Sequence, residues 1–260
     1  MTDWATYLAG FHARNPGISE DVLTRVESGD LTPYRWLARA VSGSRVLDLA
    51  SGSGAMGATL AEQSDRAHPP WVVSLDLSDA ELQESRRRGR SGALVRADAA
   101  TLPFGDASFD AVVSSAGLMV VGRIGTVLAE IARVLRAGGV LAATVPSAVP
   151  LKTQDMRFLA PLTARLRTTP QFPAGGEMTG LSSALEQSGF RVLEDARERF
   201  GFVVRTHDDA QLLMRALYLP GTSDRRRDLA AGWLAERADA HPDGVEIAVP
   251  VRRVVAMKTG

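Results

Sequence analysis

The sequence contains no cysteine, so disulfide bonds, thiolate metal sites and cysteine nucleophiles are all excluded. Lysine accounts for only two of the 30 basic residues, Lys152 and Lys258, a bias that we attribute to genomic base composition. The formal net charge is +0, so no overall field would attract nucleic acid or an anionic membrane. No apolar run approaches the roughly 18 residues of a membrane span, and the N-terminal segment does not resemble a signal peptide. We therefore expect a cytoplasmic protein that contacts neither membranes nor nucleic acids.

Short apolar segments alternate with helical segments after residue 41. The predicted strands cover residues 45–50, 71–76, 93–98, 110–115 and 138–146, and two later ones cover 191–204 and 245–258. This alternation indicates βαβ units that build a parallel sheet with right-handed crossovers. We expect one domain over residues 1–260, with an N-terminal helical lid (1–40), a ligand-binding core (41–146), substrate-cap segments (147–180 and 205–242) and a closing strand (245–258).

The stretch GSGAMG, residues 52–57, fits the G-x-G-x-x-G pattern of dinucleotide-binding domains. Its glycines allow backbone N–H groups to approach a ligand without obstruction by side chains. Asp48, four residues before Gly52, departs from what a dinucleotide needs. A carboxylate there would repel a pyrophosphate at the helix N-terminus and would favour a cation instead.

Two further acids follow predicted strands. Asp76 ends the second strand, where a carboxylate can accept hydrogen bonds from both ribose hydroxyls of an adenosine ligand. A helix N-cap is the alternative role for Asp76, although Ser78 is the better cap. Asp98 ends the third strand, where a carboxylate could accept from an adenine amino group. Because ligands bind at the carboxyl ends of parallel strands, we expect these acids to lie at one edge of the sheet.

Four segments carry a resemblance when they are taken together and in order: Asp48-x-Ala-x-Gly-x-Gly, VVSLDLSDAEL, RADAATLPFGDASFDAVVSS and EIARVLRAGGVLAATVP. They resemble the core of class I S-adenosylmethionine-dependent methyltransferases, most closely the small-molecule branch that includes quinone C-methyltransferases and natural-product O- and N-methyltransferases. The resemblance covers residues 34–146. One position departs from it, since Ala50 stands where the commoner pattern has glycine, and alanine is small enough to leave the turn intact.

The resemblance implies an α/β fold with a Rossmann-like, seven-stranded, mostly parallel sheet, an antiparallel last strand, helices on both faces and helical lid or cap elements. It also implies S-adenosylmethionine as the cofactor, S-adenosylhomocysteine as its product, and no metal. Residues 50–54 would contact the methionine moiety and ribose, Asp76 the ribose hydroxyls, Asp98 with Ala99 the adenine, and Asp48 the ammonium end. The predicted cofactor contacts are Tyr34, Asp48, Ala50, Ser51, Gly52, Gly54, Asp76, Leu77, Asp98, Ala99 and Ser115.

A general base is needed only if the methyl acceptor loses a proton as it attacks. His12 lies in the N-terminal segment that folds over the cofactor in similar enzymes, so we take it as the candidate catalytic residue; simple packing beside Phe11 is the alternative. The other histidines, His68, His207 and His241, lie in predicted loops or at a helix start.

The function that we expect is methyl transfer to a small organic acceptor by in-line displacement, as O-methylation in specialised metabolism. N- or C-methylation of a small molecule and a non-catalytic cofactor-binding scaffold are the alternatives. An NAD(P)-dependent oxidoreductase is disfavoured, because no tyrosine stands in a Tyr-x-x-x-Lys pair with Lys152. Residues 114–119 lack the Asn/Asp-Pro-Pro-aromatic stretch common in enzymes that methylate exocyclic amines of nucleic-acid bases.

The acid at Asp48 generates a first prediction about the ligand. A calorimetric titration of the purified protein should show binding of S-adenosylhomocysteine and no binding of NADH, because a buried carboxylate favours an ammonium over a pyrophosphate. Binding of NADH alone would contradict the resemblance and favour the oxidoreductase.

Overall fold

The computed structural model describes residues 2–63, 69–90, 92–175 and 178–260, which form one mixed sheet covered by helices. Its strands are β1 (Val26–Glu27), β2 (Arg45–Leu49), β3 (Trp71–Asp76), β4 (Ala93–Arg96), β5 (Phe109–Ser115), β6 (Leu135–Pro146), β7 (Phe190–Val204) and β8 (Val245–Lys258). Its α-helices are α1 (Trp4–Arg14), α2 (Ile18–Leu23), α3 (Pro33–Ala38), α4 (Ala55–Gln63), α5 (Asp79–Arg87), α6 (Ile124–Val134), α7 (Met156–Leu166), α8 (Leu181–Gln187), α9 (His207–Ala216) and α10 (Asp224–Asp239).

The strand order is β1-β7-β8-β6-β5-β2-β3-β4. Neighbours from β6 to β4 are parallel, whereas β8 is antiparallel to both β6 and β7. The predicted Rossmann-like sheet with an antiparallel last strand is therefore confirmed. The predicted number of seven strands is one too few, because the two residues of β1 pair with β7 inside the segment expected to be a helical lid. A two-residue strand is too short to produce a periodic pattern in the sequence.

Helix α6 shows how sequence periodicity positions the helices on the sheet. Its buried residues Val127, Leu128, Ile131 and Val134 recur at helical spacing and pack in the main core. The sequence RIGTVLAEIARVLR predicts a helix over residues 123–136 that Gly138-Gly139 would end, but the chain enters β6 at Leu135. The Gly138-Gly139 pair, expected to end the helix, lies instead beside an irregularity in the β5–β6 pairing.

The paired strands β7 and β8 extend beyond the carboxyl edge of the parallel sheet. Pro146, the last residue of β6, pairs with Val251, so residues 245–250 of β8 pair with β7 and reach past β6. Helices α7, α9 and α10 cover this extension and form a second core around Phe200 and Phe202. The segments predicted as a substrate cap thus pack on the extension of β7 and β8. Their part in substrate binding stays a prediction.

Gly244 precedes β8 in a backbone conformation that only glycine fits. Its φ is +76°, in the left-handed region, and an added Cβ would lie 2.3 Å from the carbonyl oxygen of Val204. Gly221 has a similar φ of +75°, but an added Cβ there would meet nothing within 4 Å. A comparison of alanine substitutions at Gly244 and Gly221 therefore separates the cost of backbone strain from the cost of steric overlap.

We expect Gly221→Ala to lower the free energy of unfolding by about 1–2 kcal/mol, the usual cost of left-handed backbone for a residue with a Cβ. Gly244→Ala should lower it further, because its methyl group overlaps backbone that cannot rotate away. Urea denaturation followed by circular dichroism measures both values. Equal losses for the two variants would show that the space around Gly244 is not limiting.

Candidate functional site

The carboxyl ends of β2, β3, β4 and β5 meet at one edge of the sheet, as parallel strands require. The loop after β2 turns sharply there, with left-handed φ values of +54° at Ala50, +53° at Gly52 and +87° at Gly54. The Ser51 N–H donates to the Leu75 carbonyl at 3.0 Å and so ties the loop to β3. Left-handed backbone at Ala50 explains why glycine is the commoner residue in the pattern that this sequence resembles.

Asp48 lies at the end of β2 with 1% of its surface exposed. Among the described residues, neither of its carboxylate oxygens has a hydrogen-bond partner, and the same holds for the buried Ser51 hydroxyl. Burial and then the charge of Asp76 raise the pKa of Asp48 to about 7. The nearby Gly57 N–H opposes the rise, although it does not meet hydrogen-bond geometry with either oxygen. A buried carboxylate without partners is unfavourable unless a cation pairs with it. The site therefore fits the ammonium group of an amino-acid moiety.

Asp76 connects the loop after β2 to the start of α5. Its Oδ2 accepts from the Gly52 N–H at 2.8 Å, and its Oδ1 accepts from the Ser78 N–H at 2.8 Å. Burial raises the pKa of Asp76, and these two N–H donors oppose the rise. Ser78, not Asp76, is the N-cap of α5. Each carboxylate oxygen can accept a further hydrogen bond, so a ribose role remains chemically open to Asp76.

The residues predicted to contact adenine lie on the solvent side of this edge. Asp98 is exposed, and its Oδ1 accepts from the Ala100 N–H at 2.8 Å. Ala99 is half-buried, and Leu77 is 64% exposed directly after β3. An exposed leucine beside an exposed carboxylate suits a flat ring that carries an amino group.

The last two predicted cofactor contacts, Tyr34 and Ser115, lie in different surroundings. Tyr34 is buried in α3, and burial followed by the charges of Glu20 and Asp48 raises the pKa of its phenol. The Tyr34 hydroxyl is therefore close enough to Asp48 to feel the charge of its carboxylate. Ser115, at the end of β5, accepts a 3.4 Å hydrogen bond from the Thr144 hydroxyl on the neighbouring strand.

Helix α2, in the segment predicted to be a lid, is fastened to the glycine-containing loop by a buried glutamate that no sequence pattern singled out. Glu20 of α2 is 6% exposed, and its Oε2 accepts from the Ser53 hydroxyl at 2.6 Å. Its Oε1 pairs with Arg90 and lies 3.3 Å from an Arg88 nitrogen. Arg88 also pairs with Asp21 at 2.9 Å, so α2 is held to the end of α5 by several charges.

His12 lies between two other buried side chains. Its Nδ1 is 2.8 Å from Oε1 of Glu81, and its Nε2 is 3.0 Å from the Tyr218 hydroxyl. The Gly17 N–H donates to the other oxygen of Glu81 at 2.9 Å. His12 also packs against Phe11, with ring centroids 5.3 Å apart, so the packing alternative describes part of its environment.

Sequence reasoning missed Glu81 and Tyr218. Glu81 follows Ser78 by three residues, a spacing typical of a helix-capping pair, and Tyr218 belongs to the predicted cap. Nothing in the sequence indicates that α1 would bring a histidine between them. Of the other histidines, His207 contacts Gln211 within α9, and His241 contacts the Arg237 carbonyl. His68 lies outside the described residues.

An aromatic wall surrounds Tyr218. Its ring centroid lies 4.6 Å from that of Phe11, 5.8 Å from Phe172 and 6.3 Å from Tyr7. These residues share the main core with Leu118 and Met119, which follow β5 at the carboxyl edge. We define Tyr7, Phe11, Phe172 and Tyr218 as the aromatic wall.

A separate cavity of about 690 Å³ opens in the cap, between α7, α10 and the start of β8. Trp233 lines it and is flanked by Arg165 and Arg237, whose guanidinium carbons lie 4.4 and 5.7 Å from a ring centroid of Trp233. None of the predicted cofactor contacts lines this cavity. It is therefore distinct from the edge where the strand-end acids meet.

Comparison with known proteins gives a family match and several relatives. A family model described as a methyltransferase domain matches residues 47–143. Two demethylmenaquinone methyltransferases, from Beutenbergia cavernae and Clavibacter sepedonicus, are 34% and 35% identical over 164 and 181 residues. These alignments cover 57% and 63% of this chain, and 66% and 72% of the two relatives. An O-methyltransferase of Aspergillus nomiae is 31% identical over 170 residues, which are 62% of this chain and 72% of that protein.

A solved structure also has a fold similar to that of this chain. The cyclase SpnF superposes with a TM-score of 0.60 at 18% identity, over 97% of this chain and 96% of its own. At that identity the likeness shows the fold alone. Separately, no helix among the described residues is both long enough and apolar enough to cross a membrane.

The buried Asp48 carboxyl generates a prediction about pH. Its folded pKa of about 7 exceeds the usual 3.8, so its favourable contribution to stability is complete below about pH 4 and is lost as the pH rises through 7. That loss amounts to at most about 1.4 kcal/mol per pH unit. Asp48→Asn should therefore gain stability relative to the wild type between pH 5 and pH 8, as measured by urea denaturation.

Asp110→Asn is the matched control, because hydrogen bonds from the Arg45 N–H and from Ser44 hold the pKa of Asp110 below its usual value. The stabilisation from Asp110 is present above its unfolded pKa and is lost as the pH falls, which is the opposite sign. A pH-independent difference between Asp48→Asn and the wild type would show that Asp48 is ionised throughout this range.

Proposed function

The chain belongs to the class I S-adenosylmethionine-dependent methyltransferases, and from that premise we propose that it methylates a small, ring-bearing organic acceptor. The observation that carries the proposal is the buried carboxylate of Asp48, which has no hydrogen-bond partner among the described residues and lies beside a left-handed loop. An amino-acid ammonium supplies the positive charge that this position needs. Family membership then identifies the amino-acid moiety as that of S-adenosylmethionine.

The proposed cofactor contacts follow the carboxyl edge from β2 to β4. Asp48 and the unpartnered Ser51 hydroxyl hold the ammonium, and residues 50–54 present backbone to the methionine moiety. Asp76 holds the ribose hydroxyls, while Leu77, Asp98 and Ala99 receive the adenine. The remaining proposed contacts are Tyr34, close to Asp48, and Ser115, at the end of β5.

When bound, the cofactor supplies a methyl group already activated by its positively charged sulfur. The protein then has to align the acceptor with that methyl group and keep water out, which together can provide much of the rate enhancement. The lid suits the second task, because Glu20 fastens α2 to Ser53 of the loop.

We retain a hydroxyl oxygen as the first candidate site of methylation. The likeness to an O-methyltransferase over 72% of that protein supports it, as does the aromatic wall, which suits a flat acceptor. A ring carbon is the second candidate, favoured because three further relatives of 36–38% identity are named ubiquinone/menaquinone biosynthesis C-methyltransferases.

The two candidates are separated by the product formed from one probe. 1,4-Dihydroxynaphthalene offers two phenolic oxygens and free ring carbons, so it can report either outcome. With methyl-¹³C-labelled S-adenosylmethionine, we expect product NMR to show a methyl ether for O-methylation and an aryl methyl group for C-methylation. Asp48→Asn should weaken the binding of S-adenosylhomocysteine in calorimetry, whereas Asp110→Asn should not.

Failure of the wild-type protein to bind S-adenosylhomocysteine would contradict the proposed cofactor. Binding without product from this probe and from a panel of other phenols would contradict a phenolic acceptor and favour a non-catalytic scaffold.

A further inference from the structure

Three side chains from distant parts of the sequence form a buried series beside the proposed cofactor site. Glu81 in α5 is 2% exposed, His12 in α1 is half-buried, and Tyr218 after α9 is 6% exposed. The links are 2.8 Å from Glu81 Oε1 to His12 Nδ1 and 3.0 Å from His12 Nε2 to the Tyr218 hydroxyl. A lid helix, a core helix and the cap thus meet at one histidine.

The hydrogen-bond partners fix the direction of each donor. An ionised carboxylate only accepts, and both oxygens of Glu81 have a nitrogen partner, Gly17 N for one and His12 Nδ1 for the other. A neutral His12 then carries its proton on Nδ1, and its Nε2 lone pair accepts from the Tyr218 hydroxyl. Ser19 is a further side-chain partner of the Tyr218 oxygen, and one lone pair remains for an acceptor molecule.

Electrostatic coupling places the series next to Asp76. The Gly52 N–H donates to Asp76, and an added Cβ at Gly52 would lie 3.7 Å from Oε2 of Glu81. The charges of Glu81 and Asp76, acting after burial, raise the pKa of Tyr218. Asp76 is the proposed ribose contact, and in the cofactor the ribose is joined to the sulfonium through a single methylene carbon. The Tyr218 hydroxyl, within the aromatic wall, is thus coupled to the residue that is proposed to hold the ribose.

We propose that Tyr218, His12 and Glu81 form a proton relay that deprotonates a phenolic or enolic hydroxyl of the acceptor. The relay rests on the proposed methyl transfer and names the acceptor class for it. Tyr218 is the catalytic residue that touches the acceptor, His12 receives the proton, and Glu81 is a positioning residue that fixes the tautomer of His12.

The step balances in atoms and charge. The acceptor O–H bond breaks and its proton moves to the Tyr218 oxygen, while the Tyr218 proton moves to His12 Nε2. The electron pair released on the acceptor forms the new bond to the methyl carbon, through oxygen or through the ring carbon that the oxygen activates. When the ring carbon attacks, it then loses its hydrogen as a proton and the oxygen regains one, which restores the aromatic ring. The carbon–sulfur bond breaks with its pair left on sulfur, and His12, now an imidazolium paired with Glu81, later returns its proton to water.

This relay discriminates among acceptors. A phenol or enol gains nucleophilicity on losing its proton, whether oxygen or an adjacent ring carbon attacks, so O- and C-methylation both use the relay. A neutral amine attacks with its own lone pair and needs no base beforehand. The structure therefore favours hydroxylated rings over amines as acceptors.

The titratable groups that face the relay come from three elements. Glu81 and Asp76 face it from the sheet and α5, and Tyr7 faces it from α1. Tyr7 is itself hydrogen-bonded away from the relay, since its hydroxyl accepts from the Leu219 N–H at 2.9 Å. Tyr7→Phe is thus a matched control for Tyr218→Phe, because each removes one phenolic hydroxyl from the aromatic wall.

The test compares two acceptors of similar size. 1,4-Dihydroxynaphthalene must lose a proton, whereas 2-hydroxy-1,4-naphthoquinone is already ionised at neutral pH. We expect Tyr218→Phe to lower kcat for the first by about 100-fold, the usual scale of general-base catalysis, and to change kcat for the second by less than threefold. Binding of S-adenosylhomocysteine should be unchanged, and Tyr7→Phe should slow both acceptors to the same small extent.

Two further measurements test His12 itself. His12→Ala should lose activity toward 1,4-dihydroxynaphthalene and regain part of it with added imidazole, whereas His241→Ala, in an exposed loop, should keep full activity. ¹⁵N NMR of the wild-type protein without ligand should show the proton of His12 on Nδ1, and Glu81→Gln should shift that signal.

Equal slowing of both acceptors by Tyr218→Phe would overturn the relay and leave Tyr218 a structural residue. A proton on Nε2 of His12 would overturn it without reference to activity, even if a variant fails to fold. Absence of S-adenosylhomocysteine binding to the wild type would contradict the proposed function instead, and the NMR result would still decide the relay.

Discussion

Four acids crowd the carboxyl edge of the sheet, and the rest of the site is arranged around their charges. Glu20 is matched by Arg90 and the Ser53 hydroxyl, Glu81 by the Gly17 N–H and His12, and Asp76 by the N–H groups of Gly52 and Ser78. Asp48 alone of the four has no hydrogen-bond partner among the described residues. Because a buried carboxylate without a partner is costly, Asp48 is the acid for which we propose a cationic ligand group.

The same acids connect the lid and cap to the sheet. Glu20 of α2 accepts a hydrogen bond from Ser53 in the loop after β2, and Glu81 accepts one from Gly17 at the start of α2. His12 of α1 contacts both Glu81 and Tyr218, a residue of the predicted cap. The extension of β7 and β8 beyond β6 supports that cap through a hydrophobic core of its own. Ligand binding, shielding from water and proton transfer are therefore proposed for contiguous parts of one edge.

Sequence patterns located the parts of the site that depend on local rules. Asp48, Asp76 and Asp98 each follow a strand of a parallel sheet, so their common edge follows from topology once the strands are recognised. Tyr34, a predicted cofactor contact, stands only two residues before Trp36 in the sequence, yet the fold places the two rings in different cores. Tyr34 is electrostatically coupled to Asp48, whereas Trp36 packs against Phe200 and under Arg253 in the second core.

The sequence by itself determined the parallel core, the loop with its left-handed backbone, the family, and the cofactor that the family implies. These follow from periodicity and from residue types at fixed spacing, which act over a few residues. Only the tertiary structure decided that β1 joins the sheet, that Glu20 ties α2 to Ser53, and that His12 lies between Glu81 and Tyr218. Residues 12, 81 and 218 are brought together by packing between separate elements, and no local pattern in a single sequence records such a contact.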